Sequence, residues 1–263
     1  MLSPLRCDVL RAALLPPYAA LDVVEVTGST NADLAAAARA GAADRTVLLA
    51  EWQTAGRGRL GRSWEAPAHT GLALSVLLRP VGVPPARWGW LPLLTGLALC
   101  EVVGELGRVD AVLKWPNDLL VGPRQGKAAG ILAEVVGGAV VVGVGLNVGL
   151  RAEDLPVPAA TSLAVEGAAC TDREELATAL LLRLDDLVRR WCAHGGDAVA
   201  CGLRDAYRNR CSTLGQPVAV QVPDGAPVTG AAVDVDPEGR LILDTAQGRR
   251  AMSAGDVGHV RPG

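Results

Sequence analysis

Three arginines and three glycines share one short segment. Arg57, Arg59 and Arg62 alternate with Gly56, Gly58 and Gly61 within Glu51-Trp52-Gln53-Thr54-Ala55-Gly56-Arg57-Gly58-Arg59-Leu60-Gly61-Arg62-Ser63-Trp64. Packing gives no reason for such a run. Glycine weakens helices and strands, and a guanidinium stays charged and needs acceptors. A pliable segment that offers several guanidiniums and bare backbone N–H groups suits a multiply charged anion, such as a nucleotide phosphate or a carboxylate. An arginine run is most often a solvated loop, but the regular glycine spacing argues against that here. The glycines also spell Gly-x-Gly-x-x-Gly. That dinucleotide motif should open a helix, whereas Ser63-Trp64-Glu65-Ala66-Pro67 does not continue as one.

Three further segments carry chemistry. In Lys114-Trp115-Pro116-Asn117-Asp118 a strand delivers a lysine, and the proline turns the chain to present an amide and a carboxylate. Asn117 and Asp118 suit a magnesium ion or ribose hydroxyls; the plain alternative is a turn cap. Lys127 stands among small residues at the entrance of an apolar strand. A lysine there is usually solvated. Asn147 ends the nearly pure apolar strand Gly143-Val144-Gly145-Leu146-Asn147-Val148 and needs hydrogen-bond partners, from a loop backbone or a bound nucleotide.

The elements around these segments follow from periodicity. Ser29 or Thr30 caps a helix that ends at Gly41, with Asp33 completing a capping box. Val47 to Ala50 and Gly71 to Leu78 read as strands, Trp88 to Leu106 as a helix, and Val112 to Trp115 as a strand stopped by Pro116. Gly130 to Val136 and Ala139 to Val148 read as a hairpin about Gly137-Gly138. Thr171 and Glu174 form a second capping box. Leu176, Leu180, Leu184, Leu187 and Trp191 then line one helix face, and another helix covers Asp197 to Arg210. After Cys211 the pattern changes to short strands: Val218, Val220 and Val222, the turn Pro223-Asp224-Gly225, Val228 to Val235, and Leu241 to Leu243. That run suggests a small β-barrel.

Composition excludes several classes. The 263 residues carry a net charge of −3, so there is no global basic field for nucleic acid. Half of them are hydrophobic, enough for a large core. The six cysteines are scattered with no Cys-x-x-Cys pair, which argues against a zinc knuckle and for a reducing cytoplasm. Arg6, Asp8 and Arg11 interrupt any signal-like apolar stretch, and Val135 to Val148 is too short to span a bilayer. The expectation is a cytoplasmic protein without membrane or DNA partners.

In this order Ser29-Thr30-Asn31, the Glu51–Arg62 run, Lys114–Asp118, Lys127-Ala128-Ala129-Gly130-Ile131-Leu132 and Gly143–Val148 resemble the signature of the biotin protein ligases. The resemblance spans roughly residues 21 to 210. It implies an α+β fold. Residues 1–211 would form a class II aminoacyl-tRNA-synthetase-like catalytic domain, a mixed sheet flanked by helices, and residues 212–263 a small SH3-like β-barrel. It also implies the activity: biotin and ATP form biotinyl-5′-adenylate, and the biotin passes to a lysine of a biotin carboxyl carrier domain. By resemblance Ser29, Thr30, Asn31, Gln53, Arg57, Gly58, Arg59 and Lys127 contact biotin, with Lys127, Arg59 and Arg57 catalytic. Arg62, Trp64, Lys114, Asn117, Asp118 and Asn147 serve ATP, with Asp118 on Mg2+. Only about twenty residues precede the core, too few for the helix-turn-helix that some family members carry. The family also contains lipoate-type ligases, and a catalytically inactive biotin-binding sensor would keep the same motifs. Whether the chain forms a homodimer is left open.

Overall fold

The computed structural model describes residues 2–222, 226–253 and 256–259; the turn read at Pro223-Asp224-Gly225 lies outside them. The first helix, α1 (Cys7–Leu14), leads into β1 (Ala20–Thr27), α2 (Thr30–Arg39), β2 (Thr46–Gln53) and β3 (Gly71–Leu78). Then come α3 (Trp90–Gly107), β4 (Ala111–Lys114), β5 (Asp118–Val121) and the hairpin β6 (Gly126–Val136) and β7 (Ala139–Asn147). Two helices, α4 (Arg173–Ala193) and α5 (Leu203–Arg208), precede the last strands.

Seven strands form one sheet in the order β1-β2-β3-β7-β6-β5-β4. The β1–β2 pair is parallel and the others antiparallel, so the sheet is mixed. Side chains alternate across a strand, and both faces of this sheet are covered. Val140, Val142, Val144 and Leu146 of β7 join a core with α3 and α4. Ala139 and Val141 face the other way, onto Leu34, Ala35 and Ala38 of α2. Double burial explains why β3 and β7 read as unbroken apolar runs.

On the α2 side the apolar lining runs out along the strands. In β3 the positions on that face are Leu77, Ser75, Ala73 and Gly71; in β7 they are Val141, Gly143, Gly145 and Asn147. The large residues underlie α2. The small ones leave a hollow at its N-terminus.

Helix α3 is long and apolar enough to cross a bilayer, but most of it is buried here against α4 and the sheet. Gly96 permits that approach: a Cβ there would meet Leu113 at 3.3 Å and Ile131 at 3.4 Å.

The C-terminal strands are β8 (Pro217–Gln221), β9 (Val228–Val235), β10 (Leu241–Thr245), β11 (Gly248–Met252) and β12 (Asp256–His259). They form a small antiparallel sheet in the order β11-β10-β9-β8-β12. Val218, Val220, Val235, Leu241 and Leu243 belong to the same core as α3 and α4. Two buried indoles tie the β9–β10 connection to the larger domain: Trp90 Nε1 of α3 donates to the Pro237 carbonyl at 2.7 Å, and Trp115 Nε1, just after β4, to that of Gly239 at 3.0 Å.

Several local expectations change. The helix read over Asp197 to Arg210 is only α5, because Asp197 caps a short turn and Gly202 takes a left-handed conformation (φ 73°). Asp172 rather than Thr171 caps α4, accepting from the N–H groups of Glu174 and Glu175. The α2 box does not form either: the N-cap residue Ser29 makes no side-chain cap bond, and Asp33 accepts from Thr27 Oγ1. Strands β1, β5, β11 and β12 and helix α1 were not read from the sequence, although Val23, Val24, Val26 and Thr27 give β1 a β-branched strand signal.

Candidate active site

One cavity opens over the hollow at the N-terminus of α2. Its lining includes Ser29, Thr30, Asn31, Gln53, Arg57, Gly58, Arg59, Arg62, Trp64, Asn117, Asp118 and Lys127. Five segments of the chain therefore converge on one space. Two residues expected there are elsewhere. Lys114 ends β4 and is not part of the lining, and Asn147 is buried with its Nδ2 donating to the Thr161 carbonyl at 3.0 Å.

The floor presents neutral groups to the cavity and is densely bonded. Gln53 Oε1 accepts the Thr30 N–H at 2.9 Å and lies 3.0 Å from Thr30 Oγ1. Asn31 Nδ2 donates to Glu134 Oε2 at 2.8 Å and to the Leu132 carbonyl at 3.2 Å. Beneath them lies Ser75, fully buried in β3. Gly143 leaves room for the Asn31 amide, since a Cβ there would stand 2.2 Å from Asn31 Oδ1.

Beside the floor, Trp64 lies on two glycines. A Cβ on Gly145 would come within 2.3 Å of the indole and one on Gly130 within 3.1 Å. Lys127 Nζ sits 5.9 Å from the indole centroid, in cation–π range, and 2.7 Å from Asp118 Oδ1. Asn117 clamps the β4–β5 connection to β6: its Nδ2 donates to the Ile131 carbonyl, and its own carbonyl accepts the Ile131 N–H. Asp118 is thereby held beside Lys127.

The arginine segment arches over the cavity. It closes on itself through Gly58 N–H to the Arg62 carbonyl at 2.7 Å and Trp64 N–H to the Gly56 carbonyl at 2.8 Å. Leu60, at its tip, takes a left-handed conformation (φ 55°) and is largely exposed. Arg57, Arg59 and Arg62 with Lys127 give four cationic side chains in the lining against the single carboxylate of Asp118.

A buried ion pair anchors the strand that carries this loop. Glu51 pairs with Arg173 of α4 at 2.5 Å, the side chains 2 % and 1 % exposed. Glu51 also accepts the Leu5 N–H and contacts His69 Nδ1. Burial pushes the Glu51 carboxyl up, but the hydrogen bonds from Arg173 and Leu5 and the Arg173 charge outweigh it, and its pKa lies below the ordinary value. Sequence reasoning gave no role to this pair or to Ser75, Glu134 and Gly143, although Glu51 and Gly143 stand in the quoted motifs. Serine inside the apolar run Gly71–Leu78 was the available signal for Ser75.

Comparison with known proteins agrees with this architecture. Residues 23–150 match the biotin/lipoate A/B protein ligase family, and residues 213–260 match the biotin protein ligase C terminal domain. The chain is 48% identical to the biotin–[acetyl-CoA-carboxylase] ligase of Mycobacterium tuberculosis over 92% of its own length and 89% of the relative's. Among solved structures, the biotin protein ligase of Aquifex aeolicus in complex with biotin and ATP aligns with a TM-score of 0.77 and 27% identity, covering 93% of this chain and all of that one. The biotin protein ligase of Leishmania major in complex with biotinyl-5-AMP aligns with a TM-score of 0.62 and 25% identity, covering 91% of this chain and all of that one. The chain belongs to the biotin protein ligases within the biotin/lipoate A/B protein ligase family.

Proposed function

We infer that this protein couples biotin to ATP as biotinyl-5′-AMP and then transfers the biotin to a lysine of a biotin carboxyl carrier domain. The observation that carries this reading is the convergence of Arg57, Arg59, Arg62 and Lys127 above a neutral floor of hydroxyls and amides. A neutral polar floor suits the ureido ring, which has N–H donors and a carbonyl acceptor. The cations suit what lies beyond it.

Adenylation joins two anions that repel. The biotin carboxylate attacks the α-phosphorus of ATP and pyrophosphate leaves, while negative charge grows on the phosphate oxygens. Lys127 and the loop guanidiniums hold the reactants close and stabilise that charge. Lys127 starts from its ion pair with Asp118; a phosphate oxygen would draw it over by a small movement. Arg57, Gly58 and Arg59 cover the new acyl phosphate and exclude water, Arg62 reaches the polyphosphate, and Trp64 offers its face to adenine. In the second step the carrier lysine amine attacks the acyl carbon and AMP leaves. No enzyme nucleophile is required.

Magnesium fits as a companion of the nucleotide. Mg2+ is commonly held by one or two carboxylates together with substrate phosphates and waters. Among the described residues no cluster of three His, Cys, Asp or Glu side chains exists, and Asp118 is the carboxylate that lines the cavity. Asp118 would hold the ion, which would offset phosphate charge. Six free cysteines support a reducing, cytoplasmic setting.

The deciding experiment mixes purified protein with biotin, Mg-ATP and a biotin carrier domain and follows the carrier by mass spectrometry. The expected result is one biotinyl addition on one lysine. Addition from lipoate instead would point to the lipoate branch. Biotin binding without adenylate formation would point to a sensor.

A further inference from the structure

The cavity floor holds more oxygen pairs than protons, and that shortage orients Thr30. Ser75 Oγ lies 2.7 Å from Thr30 Oγ1 and 2.6 Å from Asn31 Oδ1, and Thr30 Oγ1 lies 3.0 Å from Gln53 Oε1. Three oxygen pairs share two hydroxyl protons, because amide oxygens only accept. Both amides have a set orientation. Asn31 Nδ2 is engaged by Leu132 and Glu134, and Gln53 Oε1 takes the Thr30 N–H. Ser75 therefore serves Asn31, and Thr30 gives its proton to Ser75 or to Gln53. Either way the Thr30 proton stays within the protein, and its hydroxyl offers the cavity lone pairs alone.

Ser75 is fully buried and does not line the cavity. We propose that Ser75 is a positioning residue that pins the Asn31 amide and, as a second acceptor beside Gln53, helps hold the Thr30 proton inside the protein, so that the site selects a ligand ring presenting an N–H to Thr30 Oγ1. The socket is completed by Gly143, which pairs with Ser75 across β3 and β7 and leaves bare backbone against the Asn31 amide. The proposal rests on the biotin reading, since a cyclic urea carries such an N–H. It goes beyond that reading in naming which floor group reads which ligand atom, and what sets its direction. A dithiolane ring has no N–H to offer.

The test is a double-mutant cycle. Biotin-dependent pyrophosphate exchange is measured for the wild type, Ser75→Ala, Thr30→Val and the double variant, with biotin and with biotin methylated at one or the other ureido nitrogen. Ser75→Ala is expected to raise KM for biotin about tenfold while kcat and KM for ATP stay within about twofold. Losses in the double variant should fall well short of additive, because both changes act in part through the Thr30 hydroxyl. The analogue that lacks the N–H facing Thr30 should respond to neither change. Additive losses in the double variant, or equal losses with both methylated analogues, would overturn the proposal. Should Ser75→Ala lose its near-ultraviolet circular dichroism, Ser75→Cys takes its place; its weak thiol donor should give a smaller rise in KM for biotin, again far from additive with Thr30→Val. No exchange with biotin by the wild type would overturn the biotin reading and this proposal with it.

Discussion

Ser29, Thr30 and Asn31 are buried at the start of α2, and their neighbourhood is tied to three strands: Gln53 on β2, Ser75 on β3 and Glu134 on β6. The Arg57–Arg62 segment, which lines the same cavity, bonds across its own two limbs and is mostly exposed. One wall of the cavity thus presents neutral groups bonded into the sheet, with the Glu134 carboxylate behind them; the other is glycine-rich, exposed and positively charged. The difference matches two tasks. Selecting a neutral ring needs donors and acceptors held in place before the ligand arrives, since a displaced hydrogen bond gains little. Gathering two anions needs cations that can close after both have entered and then release the product.

The comparison can be broken most easily at Lys127, the cation built into a strand rather than the loop. Lys127→Ala should lower pyrophosphate exchange on the order of a hundredfold or more, with an unchanged circular dichroism spectrum; wild-type exchange would remove the lysine from its assigned role. Arg173→Ala tests the anchor of the sheet-bonded wall. Leaving Glu51 buried without its partner should cost about 3–5 kcal/mol in urea unfolding, and a loss near zero would show that the wall does not depend on this pair.

Gly145→Ala probes the wall made by Trp64. The new Cβ would collide with the indole, so KM for ATP should rise about tenfold while the fold survives; no change in KM would separate Trp64 from nucleotide binding. Limited proteolysis sharpens the contrast directly. Trypsin should cut at Arg57, Arg59 or Arg62 severalfold faster without ligand than with biotin and Mg-ATP, and equal rates would contradict loop closure. The smallest effect concerns pH. Because the folded pKa of Glu51 is lowered, its contribution to stability is complete above the ordinary carboxylate value of 4.5 and is lost as the pH falls through the lower folded value. Glu51→Gln should flatten that acid limb of the stability curve, and an unchanged limb would assign acid unfolding to other carboxylates.

The parts of the fold with strong periodicity were legible without coordinates. The apolar runs of β3 and β7, the leucine face of α4 and the hairpin at Gly137-Gly138 appear where they were expected. The missed elements are short or edge pieces. In β5 only Asp118–Val121 pair, and β1 is an edge strand with mixed burial. The caps failed for another reason. Thr30 and Glu174 carry the right side chains, but distant partners took them: Gln53 and Ser75 for one, Arg6 for the other.

Residue types and their order along the chain determined the chemistry: spaced guanidiniums, a lysine at a strand entrance and hydroxyl–amide triplets specify an anion-joining site wherever they converge. Only the tertiary structure decided which of them meet. It brought Ser75, Gly143 and Glu134 around Asn31, left Lys114 outside the cavity, and bound Asn147 to the Thr161 carbonyl. The physical reason is register. Strand pairing is set by contacts between segments far apart in the chain, and a slip of one residue would turn each of these side chains to the opposite face of the sheet.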